Sequence, residues 1–199
     1  IRFALCAIKS IGRPVVESII EERKLGGRFK SLTDFIERMG GKDVNKRVVE
    51  NLIKAGALDS LGGNRQQFMI AYAGIMDGVA QSQKTMMTGQ LSLFDLVGEE
   101  EKESFQAKLP DVDEYPKELM LSFEKEVLGV YVSGHPLEEY MDRWKKNITA
   151  VTTDFALDEE SGAAKVHDGE SVVIGGMITG KTIKYTKNNK VMAFLQIED

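Results

Sequence analysis

The sequence has little of the chemistry on which disulfides and most metal sites depend. Its 199 residues include one cysteine, Cys6, and two histidines, His135 and His167. A single cysteine excludes an internal disulfide and a zinc site built from several cysteines. So few histidines exclude most histidine-based metal sites and argue against a serine–histidine–aspartate triad. A lone thiol is typical of a reducing, cytoplasmic compartment.

Long apolar runs are also missing. The longest, residues 68–76, has nine residues if Gly74 is counted, whereas a membrane span needs about 20. The N-terminus lacks the basic and then apolar pattern of a secretion signal, so we expect no membrane contact. Because the chain starts at Ile1 and stops at Asp199 directly after a strand-like run, we expect it to be part of a longer polypeptide.

Charge is distributed unevenly along the chain. Residues 1–65 carry 13 Lys and Arg against 8 Asp and Glu, a net charge of +5. Residues 66–180 carry 9 against 21, a net charge of −12, and residues 181–199 carry 4 against 2, a net charge of +2. Basic ends suggest contact with a polyanion, and the acidic middle should not lie along it. An ordinary charged surface with local fluctuations is the alternative.

The apolar pattern predicts a mainly α-helical chain that ends in an incomplete antiparallel β-hairpin, α+β overall. Helices are expected after Ser31, Asn45, Asn64 and Pro116, because these residues suit helix starts and apolar residues follow at helical spacing. In the helix after Pro116, the expected apolar face consists of Leu119, Met120, Phe123, Val127 and Leu128.

Residues 81–90 lack periodicity and are interpreted as a linker. A strand is expected from Ser171, with a bulge at residues 175–176 and a turn at residues 188–189. The expected regions are a helix-hairpin-helix region over 1–83, a linker over 84–98, a helical connector over 99–168 and the first strands of a truncated OB-fold over 169–199.

Residues 8–20 are typical of a short helix, a hairpin turn at Gly12 and a second helix, the pattern of a DNA-binding helix-hairpin-helix. Glycine lets a duplex backbone approach, and N–H groups at the next helix start can hold a phosphate. A second, less typical copy surrounds Gly56, and it is either a second binding turn or only scaffold. The candidate DNA contacts are Lys9, Ser10, Gly12, Arg13, Lys46, Arg47, Lys54 and Gly56.

The polar linker contains an isolated apolar peptide, Gln90, Leu91, Ser92, Leu93 and Phe94. Folded proteins rarely leave such a run exposed without a partner. Its form looks like the short peptide that bacterial replication proteins insert into the sliding clamp. Leu93 and Phe94 would fill an apolar cleft and Gln90 would orient the peptide. The alternative is an edge strand or a loop packed on this chain's own core.

The predicted terminal hairpin carries basic and aromatic residues, which suit single-stranded nucleic acid. A hairpin made soluble by lysine is nearly as good an explanation. The candidate contacts are Lys181, Lys184, Tyr185, Lys187 and Lys190.

No catalytic or metal-binding residue is predicted. Asp111 and Asp113 lie in an acidic loop with no third ligand, and Ser133, His135 and Asp142 lack an oxyanion or triad pattern.

Several motifs occur together in an order that resembles the alpha subunit of bacterial DNA polymerase III, of the DnaE type. They are residues 1–12, residues 44–47 with 52–57, residues 90–94, residues 123–129 with 133–137, and residues 192–194. The resemblance covers the chain except residues 147–168, where no motif is recognised.

The resemblance implies a non-catalytic portion with tandem helix-hairpin-helix elements, a clamp-binding segment and the start of an OB domain. Its partners would be DNA, the sliding clamp (beta subunit) and other polymerase III holoenzyme subunits, in the bacterial cytoplasm at the nucleoid. No cofactor is expected here, because the metal-binding aspartates that would use Mg²⁺ lie upstream in the polymerase palm. The rival interpretations are a DNA-binding module of a repair or accessory protein and an enzyme such as a nuclease.

Overall fold

A computed structural model describes residues 4–87, 108–159 and 162–199. For residues 85–87 it describes the backbone alone. The chain divides into two compact units, Ile1–Ser133 and Gly134–Asp199. In the described residues the elements are six α-helices and one antiparallel hairpin, so the mainly helical α+β class is confirmed. The expected domain boundaries at residues 83, 98 and 168 stay predictions.

Within its described residues the first unit contains five α-helices. A 3-10 turn at Leu5–Ala7 precedes them. The helices are α1 (Arg13–Gly26), α2 (Leu32–Met39), α3 (Lys46–Lys54), α4 (Arg65–Met87) and α5 (Lys117–Leu128).

Side-chain caps start three of these helices where the sequence predicts. The Asp34 N–H donates to the hydroxyl of Ser31 at 3.1 Å, and the Val48 N–H donates to the side-chain oxygen of Asn45 at 3.1 Å. Asn64 and Gln67 cap α4 reciprocally, each backbone N–H donating to the other's side-chain oxygen at 3.0 and 2.8 Å. These bonds satisfy N–H groups that have no partner within the helix, which fixes where each helix begins.

The helices of the first unit enclose one apolar core. Phe35 and Phe68 are among its largest fully buried side chains, and α4 packs on α2 and on α3. Each helix contributes one apolar stripe, and burial of these stripes is the main stabilising term. Further core residues are Ile8, Ile11, Val15, Ile19, Leu32, Ile36, Met39, Val48, Val49, Leu52, Ile53, Leu58, Leu61, Ile75 and Val127.

One expectation in this unit is wrong, and a second is wrong in part. The linker expected from residue 81 is helical as far as Met87, because residues 81–87 contain no glycine or proline to end α4. In α5 the fully buried residues are Leu121, Glu124 and Val127. Of the predicted stripe, Val127 is confirmed as buried and Leu119 is exposed, while the other members, Met120, Phe123 and Leu128, are half-buried. Hydropathy places a glutamate on the surface, whereas Glu124 faces inward to meet an arginine.

The second unit begins with short helical segments, Glu138–Tyr140 in 3-10 form, α6 (Met141–Asn147) and a 3-10 turn at Thr152–Phe155. Its sheet consists of β1 (Met177–Tyr185) and β2 (Val191–Glu198), paired antiparallel. The predicted turn is confirmed, with Asn189 at a φ of 56°.

Residues 171–174 were expected to form a strand, but they lie outside the ladder. Val173 exchanges hydrogen bonds with Thr149 instead, since its N–H donates to the Thr149 hydroxyl and its carbonyl accepts from the Thr149 N–H, both at 2.8 Å. The strand signal came from apolar β-branched residues, which suit any extended backbone. The register shift lies between Ile178 and Gly180 and not at residues 175–176.

Candidate nucleic-acid interface

The first hairpin turn is held by backbone hydrogen bonds at its base. The Ile11 N–H donates to the Ile8 carbonyl at 3.2 Å, and the Lys9 N–H donates to the Val127 carbonyl at the end of α5 at 2.8 Å. The next helix, α1, begins after Gly12 without a side-chain cap. Its first-turn N–H groups therefore keep donor capacity, apart from Pro14, which has none.

The left-handed residue of this turn is Ser10 and not Gly12. Ser10 has a φ of 65°, whereas Gly12 is extended at φ −83° and ψ 164°. The expectation of a turn at Gly12 is therefore corrected, because the chain reverses two residues earlier, at Ser10, in the turn that the Ile11–Ile8 hydrogen bond closes. A Cβ at Gly12 would lie 3.5 Å from Cδ of Pro14, an ordinary contact, so the fold tolerates a side chain at this exposed position.

The second hairpin turn is a Schellman cap at the end of α3. The Ala57 N–H donates to the Leu52 carbonyl at 3.0 Å, and the Gly56 N–H donates to the Ile53 carbonyl at 2.9 Å. Gly56 adopts a φ of 72°, which side chains rarely accept. A Cβ there would lie 2.8 Å from Cζ of Arg65 and 2.9 Å from Oδ2 of Asp59. This glycine therefore faces the ion pair of Arg65, which is buried, with Asp59, which is exposed.

Arg65 is buried and ties three elements together. Its guanidinium donates to Asp59 at 3.0 Å, to the Lys54 carbonyl at 3.3 Å and to Glu124 at 3.0 Å. Burial works to lower the pKa of Arg65, but its hydrogen bonds and ion pairs, first with Asp59 and then with Glu124, outweigh burial and raise its pKa. Arg65 therefore stays charged inside the fold and is not available to a ligand.

Glu124 is the fully buried partner, with 0% of its surface exposed. It accepts from the backbone N–H groups of Val132 and Ser133, at 2.7 and 2.8 Å, and from the Ser133 hydroxyl. Burial works to raise the pKa of this carboxylate, but these donors, first of all Ser133, outweigh burial and lower its pKa. The sequence did not reveal Glu124, although its spacing from Leu121 and Val127 is that of one helix face.

Basic residues from both hairpins line one groove, called the basic groove below. Lys9 comes from the first turn, and the other basic residues, Lys46, Arg47 and Lys54, lie on α3. Its lining consists of Lys9, Lys46, Arg47, Glu50, Asn51, Lys54, Glu126 and Val127. Four of the eight predicted DNA contacts thus meet on one surface. Ser10, Gly12 and Arg13 are exposed at the adjacent turn.

Asn51 fixes the first turn against the second hairpin. It is only 8% exposed, and its side-chain amide donates to the Lys9 carbonyl at 2.7 Å. The Lys9 residue is thus anchored on both sides, since its N–H is bound by Val127. Sequence reasoning missed Asn51, and the available signal was a polar residue between the buried positions Val48 and Leu52.

The cations of the groove differ in how strongly they are already paired. Among the described residues Lys9 and Arg47 have no carboxylate partner, and neither has Arg13 at the adjacent turn, whereas Lys46 pairs with Asp77 at 2.7 Å in an exposed ion pair. Burial works to lower the pKa of Lys54, but hydrogen bonds with Glu50 and Glu126 outweigh it and raise its pKa.

The predicted contacts of the terminal hairpin do not share one surface. Lys181 pairs with Leu195 and Tyr185 with Val191, which places both predicted residues on one face of the sheet. Lys184 alternates to the opposite face, where its ammonium lies 5.3 Å from the centre of the Phe194 ring. The other two candidates, Lys187 and Lys190, lie in the turn between the strands.

The predicted clamp-binding residues, Gln90, Leu91, Ser92, Leu93 and Phe94, lie outside the described residues. Within the described residues no three acidic, histidine or cysteine side chains are grouped to hold a metal ion. The described residues therefore do not fit the Mg²⁺ that the resemblance implies for a whole polymerase. No helix of the described ranges is long and apolar enough to cross a membrane.

Sequence comparisons agree with this geometry. A family profile described as "Helix-hairpin-helix motif" matches residues 1–68, which include both turns. The chain is 38% identical over 203 residues to the DNA polymerase III subunit alpha of Saccharopolyspora erythraea, covering 100% of the chain and 17% of that protein. The corresponding protein of Aquifex aeolicus is 37% identical over 199 residues, covering 100% of the chain and 15% of that protein.

The subunit of Vibrio cholerae is 34% identical over 197 residues, covering 99% of the chain and 16% of that protein. The chain spans about a sixth of the length of these relatives. Because the matches extend over the whole chain, they include residues 147–168, where the sequence motifs are silent. Over its whole length the chain therefore matches a stretch of bacterial DNA polymerase III alpha subunits.

Proposed function

We propose that this chain is a non-catalytic portion of a replicative polymerase that holds duplex DNA through its phosphate backbone. One observation carries the proposal: the basic groove combines Lys9 of the first hairpin with Lys46, Arg47 and Lys54 of the second. The matches to DNA polymerase III alpha subunits support the same assignment. Nucleotide addition, and the Mg²⁺ for it, are assigned to other parts of such a polymerase.

The chemistry of this grip is independent of base sequence. Lysine and arginine neutralise phosphates, and phosphate contacts carry no sequence information directly. The start of α1 after Gly12 has no side-chain cap and adds backbone N–H donors at the first turn. A polymerase portion needs this property because the DNA that passes through it has every sequence.

Fluorescence anisotropy with a labelled random-sequence duplex tests the proposal. The double variant Lys9→Ala/Arg47→Ala should lose about 10-fold or more in affinity, and the salt slope should fall by about 2, because two phosphate contacts are removed. The matched control, Lys24→Ala/Lys30→Ala, removes the same charge from exposed positions outside the basic groove. Equal losses in the two variants would mean that net charge and not the groove binds DNA.

We propose a second function for residues 90–94, namely tethering to the sliding clamp. Support comes from the form of the peptide, with Gln90 followed by three apolar residues, and from the relatives whose matches span this stretch. A tether raises the local concentration of the enzyme at the primer end after each release. The wider partners would be the other holoenzyme subunits, in the bacterial cytoplasm at the nucleoid.

Calorimetric titration of the chain into a purified bacterial sliding clamp tests this tether. We expect about micromolar binding, of the order that a short anchored peptide gives. Leu93→Ala/Phe94→Ala should abolish it because both anchors are lost, whereas Ser92→Ala should retain it. Unchanged binding by the double variant would contradict the assignment.

For the terminal hairpin we propose that it begins an OB-type domain and contacts single-stranded DNA. The face that carries Lys181 and Tyr185 supports this assignment, since it offers a cation and an exposed ring for base stacking. Tyr185→Ala should weaken binding of a labelled single strand. Ile183→Ala on the same face is the matched control, and equal losses would argue against stacking.

A further inference from the structure

The basic groove contains two carboxylates as well as its cations. The Lys54 ammonium lies 3.0 Å from Oε1 of Glu50 and 3.1 and 3.2 Å from the two oxygens of Glu126. An ammonium group has three N–H donors, and three carboxylate oxygens surround this one. A phosphate that approaches Lys54 therefore has to replace an existing partner.

The neighbouring cations do not have this constraint. Lys9 and Arg47 are exposed and have no carboxylate partner among the described residues, so they can meet a phosphate directly. Lys54 differs also in its stem, which is largely buried, with the ammonium 5.6 Å from the centre of the Phe123 ring. The ammonium therefore stays at the groove, and a ligand can bind it only by displacing one of its carboxylate partners.

Of the two carboxylates, Glu126 is the one that a phosphate can displace from Lys54. Its side chain is 57% exposed, against 35% for Glu50, and Glu50 also interacts with the Tyr72 hydroxyl. Glu126 lies in the last turn of α5, where the helix dipole disfavours a negative charge. Among the described residues Lys54 is its one ion-pair partner.

We propose that Glu126 is an intramolecular competitor of the DNA backbone for Lys54, and that this competition sets the affinity and salt dependence of the basic groove. The proposal rests on the DNA-binding function above. In the free protein the Glu126 carboxylate binds the Lys54 ammonium, and in the complex a phosphate takes the place of that carboxylate. The carboxylate then remains beside the phosphate as a like charge, so the exchange gains little. The resulting contact is weak, so DNA can dissociate from the basic groove and rebind as it moves.

The test compares three proteins by anisotropy with a labelled random-sequence duplex over a range of NaCl concentrations. Glu126→Gln should bind about 3- to 10-fold more tightly than wild type, because Lys54 is freed for a charge-assisted contact. Its salt slope should steepen by up to about 0.9, the value of one added phosphate contact. The matched control, Glu118→Gln, removes the same charge from an exposed position in the first turn of α5, and it should change affinity less than about twofold.

A double-mutant cycle separates competition for Lys54 from simple repulsion. In a Lys54→Met background, Glu126→Gln should improve affinity no more than Glu118→Gln does. A full Glu126→Gln gain in that background would overturn the proposal. So would equal affinities of Glu126→Gln and Glu118→Gln with normal binding by wild type, and the DNA-binding function would then stand. Absence of duplex binding by wild type at low salt would overturn both.

Discussion

The two hairpin turns of the first unit have similar sequences but face in different directions. At the first turn Gly12 is exposed and extended, and a Cβ there would meet only Cδ of Pro14, at an ordinary contact distance of 3.5 Å. At the second turn Gly56 is left-handed and lies against the buried Arg65 and its exposed partner Asp59. One motif therefore serves two purposes. Gly12 leaves the first turn accessible to a duplex backbone, and Gly56 leaves room for the Arg65–Asp59 ion pair behind the second turn.

The largest effect should come from breaking the ion pair behind the second turn. Arg65→Met leaves Glu124 charged and buried without its cation, and this should reduce the free energy of unfolding by about 3–5 kcal/mol. Urea denaturation measures the loss. Arg65→Met/Glu124→Gln should recover part of it, because a neutral amide needs no counter-ion, and no recovery would contradict this explanation.

The two glycines should separate stability from binding. Gly56→Ala should cost about 2 kcal/mol of unfolding free energy, since a side chain at positive φ is strained and meets Arg65. Gly12→Ala should cost at most about 1 kcal/mol, through a poorer N-cap, but it should weaken duplex binding because the backbone approaches less closely. Denaturation and anisotropy on both variants measure this contrast. A larger stability loss at Gly12 would reverse it.

A smaller effect, on the pH dependence of stability, should come from Glu124, the partner of Arg65 behind the second turn. The pKa of Glu124 is lowered in the folded protein, so its contribution to stability is present above its ordinary pKa of about 4.3. That contribution is lost as the pH falls below this value through the lowered pKa. Between about pH 5 and pH 3, Glu124→Gln should therefore lose less stability than wild type. Thermal melts across this range measure it, and Glu118→Gln should follow the wild-type curve.

The smallest effect should come from the first turn's own strain. Ser10→Gly removes a left-handed penalty of about 1–2 kcal/mol and adds a flexibility cost of about 0.5–1 kcal/mol. The expected net gain is about 0.5–1 kcal/mol in unfolding free energy. Chemical denaturation would detect it, and a loss of stability would show that the Ser10 side chain contributes a contact of its own.

Local chemistry explains what the sequence predicts well. The caps at Ser31, Asn45 and Asn64 are confirmed, because each depends on residues within one helical turn. The turn at Asn189 is confirmed for the same reason. The basic residues of the groove could also be named in advance, since exposed cations near a glycine turn are visible in the chain itself.

What the sequence did not predict depends on distant partners. Glu124 looks like a surface residue until Arg65, 59 residues away, is placed beside it. Glu126 is likewise an ordinary glutamate until Lys54, 72 residues away, is seen to bind it. Periodicity describes one helix at a time, and it cannot show which buried charge on another helix will compensate a carboxylate.

The double anchoring of Lys9 has a consequence for the order of folding during synthesis. One anchor, Asn51, follows 42 residues later, and the other, Val127, belongs to a helix translated later still. Contacts so far apart in sequence close slowly, and a chain leaving the ribosome has to wait for the later segment. The first hairpin therefore acquires its final shape only after α5 has been translated, so a nascent chain that stops short of α5 should lack the assembled basic groove.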